Sequence, residues 1–177
     1  MRLVVALLSC FACATPVLAQ SAGPDRVATG FYKLYLQVKP RGIPDTATGM
    51  PFDRFLTPSL SDQIKRAERA EAGHREATQN QEPPLFEGDL FSSLYEGATV
   101  YKIDACTVEG ARAYCDIDLA FVAEAGAKPT TWTDKLALVK RIGGWRVDDI
   151  AFGGAWDFAQ HGSLRATLRD VIRSAGE

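Results

Sequence analysis

Two runs of alternating residues, Val100–Glu109 and Arg112–Val122, flank the pair Gly110-Ala111. Both are rich in strand-forming side chains, and glycine at the first central position suits a two-residue hairpin turn. Once Glu109 faces Arg112 across that turn, the register follows residue by residue. Counting outward places Cys106 directly opposite Cys115. The closing pair is hydrogen-bonded and the pairs alternate, so the cysteines fall on a non-hydrogen-bonded pair with Cα atoms about 4.5 Å apart. A disulfide tolerates that separation, and its loop closure would contribute roughly 2.7 kcal/mol, less where the hairpin already restrains the ends. The same register sets Tyr101, Ile103 and Ala105 on the face opposite Ile117, Leu119 and Phe121. Either both faces are partly covered, or a bulge resets the phase.

A disulfide needs an oxidising compartment, and the N-terminus supplies the address. Met1-Arg2 is a short basic start, Leu3–Phe11 is apolar, and Val17-Leu18-Ala19 ends in the small residues that a signal peptidase reads. This pattern predicts a secretory signal over residues 1–19, cleaved after Ala19, and a periplasmic or secreted destination. The alternative start Leu7-Leu8-Ser9-Cys10 resembles a lipidation box, but it would leave a signal shorter than the roughly 15 residues such signals need. Cleavage after Ala19 removes Cys10 and Cys13, so Cys106 and Cys115 remain as an even pair. The apolar run is also shorter than the about 20 residues of a bilayer-spanning helix, so no transmembrane segment is expected.

Composition narrows the function classes. At 177 residues, 46% hydrophobic and 24% charged, the chain is ordinary globular material and predicts one domain over residues 20–177. Its formal net charge of −2 carries no basic excess that would point to nucleic acid.

Helical spacing runs over Asp25–Lys39 through Val27, Phe31, Leu34, Tyr35 and Val38, and Pro40 stops it. A short turn is expected at Phe52–Leu56. Thr57-Pro58 then caps a second helix with Leu60, Ile64 and Ala67 on its apolar face. Its mixed-sign remainder reads as a solvated face. Residues 73–84 read as a long mobile loop. Thr130–Ile142 and Trp145–Phe152 read as a second hairpin turned by Gly143-Gly144, and Ser163 caps a final helix carrying Leu164, Leu168, Val171 and Ile172. Helices, then paired strands, then a helix predict an α+β fold with helices on one face of a curved antiparallel sheet.

Several chemistries lack their residues. His74 and His161 lie in polar loops, and no G-x-S-x-G or H-E-x-x-H is present. Asp116 and Asp118 share a strand face about 7 Å apart, without the further oxygen ligands that calcium needs. No cofactor and no metal are therefore expected.

The stretch Leu136–Ile150, with Gly143-Gly144-Trp145 at its centre, resembles the closing hairpin of the nuclear transport factor 2-like superfamily, cones in which a bent sheet wraps N-terminal helices. Together with Phe31–Leu36, Phe55–Leu60 and Pro84–Phe91, it makes residues 27–172 resemble the exported bacterial family called domain of unknown function 3828. The resemblance implies a cone with a pocket at its wide end, an envelope address and no particular activity. Such a pocket would take a small ligand or serve an envelope protein partner without catalysis, with Tyr32, Tyr35, Tyr101 and Trp132 as its walls. The alternative is a small lyase or isomerase whose carboxylate is Asp104, Asp148 or Asp149, raised in pKa by an apolar pocket. Superfamily members often pair through the sheet, so a homodimer is a further option that the resemblance brings.

Overall fold

The structure, a computed structural model, describes residues 22–45 and 51–176. The leader assigned to residues 1–19 lies outside the described residues. The fold is α+β, with three helices and four strands among the described residues: α1 (Pro24–Val38), α2 (Pro58–Ala77), β1 (Val100–Glu109), β2 (Arg112–Phe121), β3 (Thr130–Arg141), β4 (Gly144–Ala151) and α3 (Leu164–Ser174). The strands form one antiparallel meander in the order β1-β2-β3-β4. None of the described helices is long and apolar enough to cross a membrane.

Each helix begins and ends for a local reason. Pro24 opens α1, and Lys39 closes it in a left-handed conformation (φ 48°) with its N–H on the Tyr35 carbonyl, just before Pro40. In α2 the Thr57 hydroxyl accepts from the Leu60 N–H over Pro58. This helix runs on through Gly73 to Ala77, where the sequence predicts a loop. The extra turn is held from both sides: Glu71 pairs with Arg75 at 2.9 Å and also accepts the Leu85 N–H at 2.9 Å. The chain then leaves the helix through Gln79 and Asn80, both at positive φ.

Glu109 pairs with Arg112 and Cys106 with Cys115, and the two cysteines form a disulfide with Cα atoms 4.0 Å apart. The phase conflict resolves as a bulge. The register shifts between Ile103 and Cys106, where β1 spends one residue more than β2. Tyr101, Ile103 and Cys106 thereby face Leu119, Ile117 and Cys115 on a single side. The second hairpin differs from expectation by one position. Arg141 pairs with Gly144, so the turn is Ile142-Gly143, with Gly143 at φ 90° and Ile142 wholly exposed.

The sheet buries one face, seen as Cys115, Ile117 and Leu119 on β2 and Trp132, Asp134, Leu136 and Leu138 on β3. Helix α1 packs on β1, β2 and β4, whereas α2 and α3 pack on each other and on β4. The aromatic core joins Phe31 to Phe52 and Phe91 at 5.4 Å each, with Phe52 and Phe91 4.9 Å apart. The outer face is laced with ion pairs, Lys102 with Asp104 and Asp118, and Lys135 with Asp116. The β4 edge is covered, because Val147 exchanges backbone hydrogen bonds with Phe55 and Thr57. Edge strand β1 carries its bulge and the Lys102–Asp104 pair instead, two features that discourage edge-to-edge pairing.

The disulfide predicts a measurable stability difference. A Cys106→Ser/Cys115→Ser variant should lose about 2 kcal/mol in urea unfolding, and native protein should take up alkylating reagent at these cysteines only after reduction.

Candidate functional site

Of the residues proposed as pocket walls, Tyr32 and Tyr35 lie in the core, whereas Tyr101 and Trp132 also line a groove of about 570 Å³ across β1, β2 and β3. Tyr32 is wholly buried, stacked on Tyr101 at 5.6 Å and edge-on to Tyr35 at 5.7 Å. Trp132 is buried against Trp156 at 5.7 Å. Phe31, Tyr32, Tyr35, Ile117, Leu119 and Leu136 fill the interval between α1 and the sheet, none more than 2% exposed.

The three proposed carboxylates stand elsewhere and apart. Asp104 is exposed at the β1 bulge and bonded to Lys102 at 3.0 Å. Asp148 and Asp149 sit at a second bulge, where β4 passes from pairing Asp149 with Ala137 to pairing Val147 with Leu138. Asp148 accepts from the Thr57 hydroxyl at 2.8 Å and from the Arg165 guanidinium at 2.8 Å. Asp149 accepts the backbone N–H of Arg165 at 3.0 Å, in the first turn of α3, where the helix dipole favours an anion. Consecutive aspartates thus tie β4 to the starts of two helices.

Among the described residues the buried carboxylates are Glu71, which holds the end of α2, and two on other segments, Asp89 and Asp134. Asp134 is wholly buried on the inner face of β3. One oxygen accepts from the Ser93 N–H (3.0 Å) and the Trp132 indole N–H (3.1 Å). The other accepts from the Gly153 N–H (2.9 Å) and the Ser93 hydroxyl. Burial raises its pKa, and these donors partly offset that rise. Asp89 accepts from the Tyr35 hydroxyl at 2.8 Å and the Phe91 N–H at 2.8 Å. Desolvation pushes its pKa up to about 6 against these two bonds and the charge of Arg41. Tyr35 in turn accepts the Ala98 N–H at 2.7 Å, and burial followed by the Asp89 charge raises its own pKa.

Both carboxylates hold residues 85–98, a stretch outside the named helices and strands whose Leu90, Phe91, Ser92 and Ser93 are wholly buried. A buried loop must still satisfy its backbone groups. Gln160 completes the set, donating to the carbonyls of Asp89 and Ser92. Gly97 is required here: at φ 78°, a Cβ would lie 2.3 Å from an Asp89 oxygen. Asp134 was visible in principle, since it occupies the buried phase of Trp132-x-Asp134-x-Leu136-x-Leu138. Asp89 had no such signal, because residues 85–98 follow no period.

Asp89 and Tyr35 floor a cavity of about 180 Å³ with Lys39, Arg41 and Glu96 around it. That is below the roughly 300 Å³ of a typical ligand pocket, and both Asp89 oxygens already have donors. Larger grooves open on the surface. One, of about 1040 Å³, lies between the approach to α2 and the tips of both hairpins. Another, of about 610 Å³, lies between α2 and α3. Among the described residues no cluster of His, Cys, Asp and Glu could hold a metal ion. Compared with protein-family models, curated proteins and solved structures, the chain finds no match in any of the three.

Three outcomes follow from the buried polar groups. An Asn amide at position 134 would turn its NH₂ toward a backbone N–H in either orientation, so Asp134→Asn should cost roughly 2–4 kcal/mol in urea unfolding. The Tyr32 hydroxyl is buried with no hydrogen-bond partner among the described residues, so Tyr32→Phe should leave the melting temperature unchanged or raise it. Folded Asp89 binds its proton near pH 6, and an unfolded Asp near its ordinary 3.8. Between these values the folded state holds more protons, so its contribution to stability grows as pH falls from about 7 to about 4 and is lost on the way back up. Urea midpoints should show that gain in the native protein and a smaller one in Asp89→Asn.

Proposed function

We propose that the protein is an exported, non-catalytic binding protein of the nuclear transport factor 2-like type that recognises a protein partner on its outer surface. The carrying observation is the filled interior. Between α1 and the sheet, where a cone enzyme or carrier would keep its pocket, Phe31, Tyr32 and Leu136 are wholly buried. None of Asp104, Asp148 and Asp149 lines the small cavity floored by Asp89, which weighs against the lyase or isomerase alternative. The leader-like residues 1–19 and the Cys106–Cys115 disulfide support an oxidising envelope compartment.

The stretches that carry the family resemblance have packing roles. Phe55–Leu60 covers the β4 edge and caps α2, and Pro84–Phe91 enters the segment held by Asp89. Such a signature belongs to a fold-holding framework, with recognition left to the variable outside. The test is native mass spectrometry of protein purified gently from its own host's envelope. The expected result is a complex with a second protein and a bare mass for the dissociated chain. A reproducible adduct the size of a small metabolite, in place of a protein complex, would overturn surface recognition.

A further inference from the structure

The two surface grooves meet at Ser59, which lines both. Together they hold eight of the chain's 20 basic residues and only two of its 22 acidic ones. The other 12 basic residues are set against 20 acidic ones, so the grooves carry a local basic excess within a slightly acidic chain. The larger groove is walled by Arg54 on the approach to α2 and by Lys140, Arg141 and Arg146 from β3 and β4. None of these four has a carboxylate within 4 Å among the described residues, in contrast to Lys102 and Lys135 on the sheet's outer face.

They are positioned by other means that leave their charge unneutralised. Arg54 lies over the Phe55 ring at 4.8 Å and Lys140 over Trp145 at 5.9 Å, and Arg146 donates to the Trp145 carbonyl at 2.9 Å. In the second groove Arg165 and Arg173 are paired with Asp148 and Asp170, whereas Arg66 and Arg169 have no salt bridge among the described residues. Desolvated or focused cations without counter-charge are what an anionic partner meets with most gain.

The lining is not purely polar. Ile142, wholly exposed because the β3–β4 turn falls one residue early, stands in the larger groove with Leu56, Pro58 and Ala111. A free phosphate has no use for an apolar wall. A bilayer presents a flat anionic layer, whereas these cations face each other across grooves formed by different elements. An extended chain fits both the length and the mixture.

Resting on the surface-recognition reading above, we infer that the joined grooves beside the start of α2 bind an extended acidic segment of another protein, one that alternates carboxylates with apolar side chains. The probe is a dye-labelled synthetic peptide of alternating Glu and Leu, followed by fluorescence anisotropy on the full exported chain. Comparison arms use an alternating Lys–Leu peptide, an alternating Glu–Ser peptide, inorganic phosphate as competitor and phosphatidylglycerol vesicles. The Glu–Leu peptide should bind, weaken with salt and outlast phosphate competition, the Glu–Ser peptide should bind less tightly, and the Lys–Leu peptide should not bind. Arg141→Glu and Arg169→Glu, one in each groove and both exposed, should each weaken it about tenfold or more with unchanged melting temperature. Ile142→Ser should weaken it without changing the salt dependence. Binding to vesicles but not to the peptide, no binding at all, or binding indifferent to Arg141→Glu and Arg169→Glu would overturn the assignment. If the host's protein partner is still captured by those two variants, the groove fails while surface recognition stands. A small-molecule adduct with no protein partner would bring down the underlying reading itself.

Discussion

A buried carboxylate with four donors converging on it organises this molecule. Asp134 projects from the sheet into an apolar interior, where an unpaired charge would cost several kcal/mol. It is tolerated because the Ser93 backbone and hydroxyl, the Trp132 indole and the Gly153 backbone all turn toward it. The dependence is mutual. Residues 85–98 belong to no helix or strand, and their stretch 88–93 is buried, so backbone groups there need partners that side chains help to supply. Asp134, Asp89 and Gln160 supply them. Removing the carboxylates would leave the buried part of this segment short of hydrogen bonds, and α1 would lose its Asp89 contact to the segment through Tyr35.

The bulge in β4 works on the same principle at the opposite end of the sheet. An extra residue there gives Asp148 and Asp149 separate tasks, one at the Thr57 cap of α2 and the other at the first turn of α3. Arg165 closes the arrangement, reaching Asp148, Gln63 and Ser59 from α3. A pair of adjacent acids that reads as candidate chemistry is thereby a joint between three elements. Its charges are already answered, which is why they are poor candidates for moving protons.

The charges left unanswered lie beside this joint. On the outer face of the sheet, acids and bases alternate and pair across strands, which keeps that surface solvated and gives no reason for it to adhere to a copy of itself. In the groove beside the start of α2, Arg54, Lys140 and Arg146 stand without a salt-bridge partner among the described residues, held by aromatic rings and a carbonyl. The mild net charge of the chain hides this division, because a sum over the whole sequence cancels what space separates.

What the sequence determined by itself was local. Turn chemistry at Gly110-Ala111 set the hairpin and brought Cys106 to Cys115. Proline and threonine marked the start of α2, and apolar periodicity located α1, α3 and the strands, with α2 underestimated by the one turn that Glu71 holds. These are properties of a residue and its near neighbours along the chain, so they survive without a fold. The tertiary structure decided which acids would be buried, where the two bulges would reset the phase, and that Arg54 and Arg141 would line one groove and Arg66 and Arg169 the groove that meets it at Ser59. Desolvation and the pairing of charge depend on what surrounds a group in space. Asp89 and Asp134 acquired their roles only when segments far apart in the chain closed over them.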